Sequence, residues 1–361
     1  MHVILFLNHA CNMACRYCYN GKKFERALPF DLIEKGIDLA FTTGDVRISF
    51  FGGEPLLEFE RIQHAVRYAR QKEISSGKKM LRFSMTVNGT LLDDEKLQFF
   101  KDENFFVAVS LDGIPDANDA CRTYVTGEST YAHTLRGLQL VNKYYGKMAT
   151  SSTIDPGNVH WLAASFSHVI GLGVQRFSFN FNFDAPWDDA SLAVYKAQML
   201  QVMQHYVDAY RRGNAVDYTS YTSKIRGHLN GRVTSKCLFG EGEVTVAPSG
   251  RLYPCERLVG EDTGGTLCIG DIHSGIELDK VLDFKRSRLK TDVDCRHCQV
   301  ESRCIHFCGC VNWATTGGIG DVSSLLCDVE QTVIQTADTA AAILFREGNP
   351  AFLKRFYGMS G

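Results

Sequence analysis

The chain has 361 residues, 45% hydrophobic and 22% charged, which is enough apolar material for a sizeable core and room for two domains. Lysine and arginine number 39 against 41 aspartates and glutamates, a balance that leaves no footprint for nucleic acid or an anionic membrane as partner. No apolar run reaches the length of a membrane span, and Val3–Leu7 is too short and too poorly flanked by basic residues for a signal peptide, so a cytoplasmic location is expected. In that compartment thirteen cysteines argue for metal rather than disulfides.

Taken in chain order, residues 1–215 alternate strand-like and helix-like segments. Val3–Leu7 reads as a strand and Phe30–Phe41 as a helix. Strands at Val46–Phe51, Leu81–Val87, Phe105–Leu111, Lys147–Ile154 and Val174–Phe183 then alternate with helices at about 58–71, 93–102, 130–145, 159–170 and 189–212. Six β/α units of this kind predict a parallel sheet with crossover helices, a partial (β/α)6 TIM-like barrel in an α/β chain. Residues 176–183 alternate strictly, with Phe177, Phe179, Phe181 and Phe183 against Arg176, Ser178, Asn180 and Asn182, so one face is expected on helices and the other toward a polar lumen. Residues 216–234 are polar and glycine-containing and read as a linker. The cysteine-rich part, 235–345, holds nine of the thirteen cysteines, a hairpin signal around Pro248-Ser249-Gly250 and a closing helix from Asp328 to Phe345; 346–361 reads as a tail.

Cys11, Cys15 and Cys18 stand in a CxxxCxxC run directly after the first strand. Three thiolates on a four-iron cubane leave one iron without a protein ligand, and that iron is free to bind a substrate or cofactor. Zinc is the alternative, but zinc knuckles pair cysteines as CxxC with a fourth ligand nearby, and the x3 spacing argues against it even with His9 close. The motif resembles the signature of radical S-adenosylmethionine (radical SAM) enzymes, in which the open iron chelates SAM and one electron splits it to a deoxyadenosyl radical.

The resemblance extends to other strand ends. Gly52-Gly53-Glu54-Pro55 is similar to the segment that binds the SAM amino group, and Tyr17 stands where the family places an aromatic against adenine. Asn88, Ser110 and Asp112 match positions that hydrogen-bond the ribose and methionine parts. Asp119 and Arg122 match a D-x-x-R pattern whose arginine pairs with the SAM carboxylate, and guanidinium is the best fork for that group. Cys121 falls outside the pattern and reads as a structural thiol.

Cys295-x2-Cys298-x5-Cys304-x3-Cys308, followed by Cys327 and preceded by Cys237 and Gly250-x4-Cys255, resembles the SPASM domain of peptide-modifying radical SAM enzymes. The resemblance implies three [4Fe-4S] clusters, one binding SAM and two auxiliary. Cys237, Cys255 and Cys308 would hold the first auxiliary cluster, and Cys295, Cys298, Cys304 and Cys327 the second; structural zinc is the alternative. Sulfatase-type relatives have a further cysteine between the first two ligands. This chain has none there, which leaves Cys268, Cys310 or an open site for the fourth position. Glu256 stands where those relatives place a catalytic aspartate.

These features imply a radical SAM peptide maturase that makes a cross-link, an epimer or an oxidised residue in a ribosomally made precursor peptide. Its electrons would come from a donor such as flavodoxin or ferredoxin. With the cluster motif at residue 11, peptide recognition is expected from a separate protein or from the barrel and cysteine-rich part themselves. Anaerobic sulfatase maturation and an iron–sulfur electron carrier without SAM chemistry are the alternatives.

Overall fold

A computed structural model describes the chain except residues 44–45, 232–236, 290–292 and 360–361. The first half runs β1 His2–Phe6, α1 Phe30–Ala40, β2 Val46–Phe51, α2 Phe59–Ser76, β3 Met80–Val87, α3 Asp94–Asp102, β4 Phe105–Ser110, α4 Pro115–Asp119, α5 Tyr131–Tyr145, β5 Ala149–Ile154, α6 Leu162–Gly171, β6 Arg176–Phe181 and α7 Asp189–Arg211. It continues with β7 Asp217–Tyr218, α8 Thr219–Asn230, β8 Glu243–Val246, β9 Arg251–Tyr253, β10 Gly270–Asp271, β11 Gly275–Ile276, α9 Leu278–Arg288, α10 Val293–Arg296, α11 Gly309–Thr316, α12 Ser324–Arg346 and α13 Pro350–Tyr357.

Among the described residues the strands form one eleven-stranded sheet in the order β11-β10-β9-β8-β1-β2-β3-β4-β5-β6-β7. Strands β1 to β7 are parallel, with α/β crossovers. β1 pairs in parallel on both edges, Val3 lying opposite Ile48 of β2 and Val244 of β8. A central parallel strand is covered on both faces, which is why Val3–Leu7 is an unbroken apolar run and is buried throughout. The β8–β9 hairpin, turned at Pro248-Ser249-Gly250, and the short β10–β11 pair add antiparallel strands beyond β8. Gly250 takes the left-handed conformation that this turn needs (φ 87°). The partial barrel and the cysteine-rich part therefore share one continuous sheet.

The alternation along β6 places its two faces as expected. Phe177, Phe179 and Phe181 are buried, with Phe177 edge-on to Phe166 of α6 at 5.2 Å, while Asn180 turns toward the interior. That interior is polar across the sheet: Glu243, His2, Ser49 and Ser84 form a hydrogen-bonded row at 2.7, 2.7 and 2.6 Å.

Three expectations are corrected. The segment read as a linker forms β7 and α8 over its described part; residues 232–234 lie outside the described residues. Tyr218, Tyr221 and Ile225 are buried there, and α8 packs on the long helix α12. Its polar appearance arises partly from Lys224, which is buried and bonded to Glu330 of α12 at 2.5 Å and to the Arg303 carbonyl at 2.9 Å. The presumed tail contains α13, capped by Asn349, whose side chain also donates to the Tyr210 carbonyl at 3.1 Å. Phe352 of α13 is fully buried against Tyr210, and Arg355 pairs with Asp217 at 2.6 Å. The closing helix starts at Ser324, where Ser323 caps it, rather than at Asp328.

No helix among the described residues is long and apolar enough to cross a membrane. If α13 fastens the end of the sheet, Phe352→Ala should lower the unfolding free energy by about 3–5 kcal/mol, measured by denaturant titration. An unchanged midpoint would show that the segment is dispensable to the fold.

Candidate functional site

The C-terminal ends of the parallel strands meet at one mouth, where parallel α/β sheets carry their chemistry. After β1 the chain forms the loop with Cys11, Cys15 and Cys18. After β2 comes Gly52-Gly53-Glu54-Pro55, and these two loops dock backbone to backbone. Gly53 N–H donates to Asn8 O and Glu54 N–H to Ala10 O, each at 2.9 Å. A Cβ on Gly53 would lie 2.0 Å from Ala10 O, and one on Gly52, at φ 137°, 2.5 Å from Asn8 O. What the glycine pair admits at close range is thus the cysteine loop itself. Asn20 ties the same junction from the other side, donating to Gly52 O at 2.7 Å.

A cavity of about 440 Å³ opens at this mouth. Its walls include Cys11, Cys15, Cys18 and Tyr17 from the first loop, Gly52, Gly53 and Glu54 from the second, Asn88 and Ser110 from the next strand ends, and Arg122 from the segment after α4. Glu256 and Arg257 of the cysteine-rich part line the same cavity. Pro55 does not; it is buried and opens a 3-10 turn over Pro55–Glu58.

Glu54 is buried, and its carboxylate accepts from Asn88 N–H at 2.8 Å and Leu56 N–H at 3.1 Å. Burial outweighs these bonds and pushes its pKa from 4.5 up to about 7. The raised value favours the neutral acid in the fold. Its stability contribution is therefore fullest below pH 4.5 and is lost as pH rises through about 7. Neutral pH leaves the carboxylate in need of a cation. Lys23 Nζ lies 2.8 Å from Cys18 Sγ. Burial raises the Cys15 thiol pKa and pushes that of Cys11 up to about 12, so these thiols become ligands only when a metal takes the place of the proton.

Asp112 stands behind the cavity wall and is fully engaged. It accepts from the Tyr17 hydroxyl and from Thr153 N–H at 2.8 Å, and it pairs with Arg122 at 3.1 Å. Arg122 stacks over the Tyr17 ring with its guanidinium carbon 5.2 Å from the centroid. Burial opposes the Arg122 charge, but Asp112 and Tyr17 outweigh it and its pKa rises. Asp112 is thus a positioning group for Tyr17 and Arg122 instead of a cavity-lining contact. Asp119 of the D-x-x-R pattern caps α5, accepting from Thr130 N–H and Tyr131 N–H at 3.1 Å each.

Sequence reasoning missed several lining residues. Tyr19 stacks beneath Arg257 at 4.9 Å, and Arg257 is bonded to Asp184 at 2.8 Å. Arg257 therefore pairs with Asp184 and leaves Glu256 to the cavity. Burial, with Glu243 adding to it, raises the Glu256 pKa. Asn182, anchored on Asp155 at 2.9 Å, also lines the wall; its place on the polar side of β6 was the available signal.

The remaining cysteines lie in several places. Cys295, Cys298, Cys304 and Cys327 line a second cavity of about 300 Å³, beside Glu330. Cys237, Cys255 and Cys308 lie close enough for their charges to interact. Cys268 is elsewhere, its thiol donating to Gly270 O at 3.2 Å beside the apolar group of Phe6, Tyr253 and Val259. Cys121 is buried, as expected of a structural thiol. Among the described residues no three His, Cys, Asp or Glu side chains gather closely enough to hold a single metal ion. Cys11, Cys15 and Cys18 stand around one space and Cys295, Cys298, Cys304 and Cys327 around another, donor sets suited to a cluster.

Comparison with known proteins agrees with this geometry. Residues 5–160 match the Radical SAM superfamily model. A serine-type anaerobic sulfatase-maturating enzyme of Klebsiella aerogenes is 23% identical over 316 residues, covering 82% of this chain and 76% of that protein. The structure of native anSMEcpe with bound AdoMet and Cp18Cys peptide superposes with a TM-score of 0.81 at 18% identity, over 95% of this chain and 99% of that one. Streptococcus suis SuiB bound to precursor peptide SuiA gives 0.62 at 15% identity, over 90% and 75%. The shared fold is mixed α/β, a parallel core with antiparallel hairpins and a cysteine-rich region.

Proposed function

We propose that the chain is a radical SAM enzyme that modifies a residue of a ribosomally made peptide, and that the peptide reacts in the cavity between the strand-end mouth and the Cys255–Arg257 turn. The observation that carries the reading is that one cavity joins Cys11, Cys15, Cys18 and Glu54 to Glu256 and Arg257. A substrate lying there is within reach of both halves of the chain.

Cys11, Cys15 and Cys18 would hold the SAM-binding cluster. Glu54 would accept the ammonium of SAM, which supplies the cation its buried carboxylate lacks. Arg122, oriented by Asp112, presents a guanidinium suited to a carboxylate. Tyr17, Asn88 and Ser110 offer the remaining ring and hydrogen-bonding contacts. When bound, the cluster and SAM would supply a deoxyadenosyl radical able to take a hydrogen atom from the substrate. Glu256 lines that space and is placed to take a proton from the substrate as it is oxidised. Oxidation leaves electrons to be removed, and the two cysteine arrays would hold auxiliary clusters for that purpose. A flavodoxin or ferredoxin would supply the initiating electron.

The lumen and cavity wall offer the peptide a polar row at Ser151, Thr153, Asn180 and Asn182, which supports recognition by the chain's own residues. Sulfatase maturation is the second reading. It is favoured by the 99% coverage of native anSMEcpe, against 75% of SuiB, and opposed by Phe51 where such enzymes tend to carry glutamine before the glycine pair. A carrier without SAM chemistry is set aside by the radical SAM match. Mass spectrometry of candidate peptides after co-expression distinguishes the two enzymatic readings: a formylglycine made from Cys or Ser supports the second.

Replacing Cys11, Cys15 and Cys18 together with alanine should remove about four irons per chain and abolish deoxyadenosine formation. Persistence of reductive SAM cleavage would contradict the assignment. Glu256→Gln should still form deoxyadenosine at a rate near that of wild type and lose the modified peptide by about 100-fold or more, followed by mass spectrometry. Wild-type product yield would remove Glu256 from the chemistry.

A further inference from the structure

The first auxiliary array is one ligand short if Cys237, Cys255 and Cys308 alone build it, and the chain contains two spare cysteines on that side, Cys268 and Cys310. Their surroundings differ. Cys268 is turned to the Gly270 carbonyl. Cys310 Sγ lies 3.5 Å from Cys308 Sγ, and Cys310 is also near enough to Cys255 for the two thiols to interact.

Local structure explains the arrangement. Cys308 is the N-cap of α11 and Cys310 its second residue, so both sulfurs sit at the N-terminal turn, where unpaired amides and the helix dipole favour negative charge. Gly309 between them is pressed against its neighbours: a Cβ there would lie 2.6 Å from Ile319 and 2.7 Å from Phe239. The turn is thereby held in place with Cys308 near Cys237 and Cys310 near Cys255. Arg257 is near enough for its charge to act on both Cys255 and Cys310.

We infer that Cys310 is the fourth protein ligand of the auxiliary cluster held by Cys237, Cys255 and Cys308, so that this cluster is closed to substrate. The inference rests on the reading that this array holds a [4Fe-4S] cluster. Ligation forms one sulfur–iron bond, sends the thiol proton to solvent and displaces water from that iron. With the site closed, the peptide is gripped by the cavity walls and not by iron, and Glu256, next to ligand Cys255, meets a substrate that is free of the metal.

The test uses the full chain, reconstituted anaerobically, with Cys11, Cys15 and Cys18 replaced by alanine so that the open SAM-cluster iron does not interfere. Iron content, circular dichroism and electron paramagnetic resonance of the reduced protein are recorded with and without 13C-labelled cyanide as probe. The parent should show no 13C hyperfine coupling. Adding Cys310→Ala should open an iron and produce that coupling, and Cys310→Ser should retain the cluster with shifted g values. Cys268→Ala should match the parent in iron and spectrum. Loss of auxiliary iron in Cys310→Ala with native circular dichroism, and not in Cys268→Ala, also supports ligation. Cyanide coupling in the parent, or a Cys310→Ala spectrum identical to the parent, would overturn the assignment while leaving the cluster reading intact. A folded parent without auxiliary iron would overturn both.

Discussion

The docking of two strand-end loops governs the rest of the site. The loop after β1 and the loop after β2 share backbone hydrogen bonds at a distance only glycine allows, since a Cβ on Gly53 would fall 2.0 Å from Ala10 O. That junction fixes Cys11 at one wall and buries Glu54 beside it. A buried carboxylate costs stability when ionised, and two amide donors do not offset the loss of water, so its pKa settles near 7. The site therefore contains an unspent preference for a cation, next to three thiols that can become ligands only by losing protons.

The second constraint is continuity of the sheet. β1 pairs with β2 on one edge and with β8 on the other, so the hairpin that leads to Cys255, Glu256 and Arg257 is registered directly against the strand that leads to Cys11. The two ends of the chemistry follow β1 and β9, which flank β8 in one sheet, with Arg257 pinned by Asp184 and Tyr19 from the barrel side. On the far side, α12 and α13 bind the cysteine-rich part to α7, α8 and β7 through buried contacts such as Lys224–Glu330 and Phe352–Tyr210. This arrangement makes the cavity a property of the whole fold.

Much of this is legible in the sequence where local pattern decides. β2 is bounded as read, because Val46–Phe51 is a short β-rich run ending in a glycine pair. The structure places Cys11, Cys15 and Cys18 on one cavity and Cys295, Cys298, Cys304 and Cys327 on another, each a run visible in the sequence, and sets Cys310 beside Cys308. What escaped reading depends on partners far along the chain. α8 looked like a linker because Lys224 reads as a solvated charge until Glu330, 106 residues away, is placed beside it. The Asp112–Arg122 pair likewise cannot be seen from a motif that assigns both residues to a cofactor, and Asp119 proved to be a helix cap. Glu54 was visible as a candidate; its raised pKa was not, since that follows from burial.

The most direct test of the account is the pH dependence of SAM binding to the reconstituted chain, measured by titration calorimetry between pH 6 and 8 for wild type and Glu54→Gln. If the ammonium of SAM pairs with ionised Glu54, wild-type affinity should be level above about pH 7 and weaken toward tenfold per unit below it, because binding must first remove the Glu54 proton. Glu54→Gln should bind more weakly and lose that slope. Equal affinity in the two proteins, or the same slope in both, would contradict the central role given to the buried carboxylate.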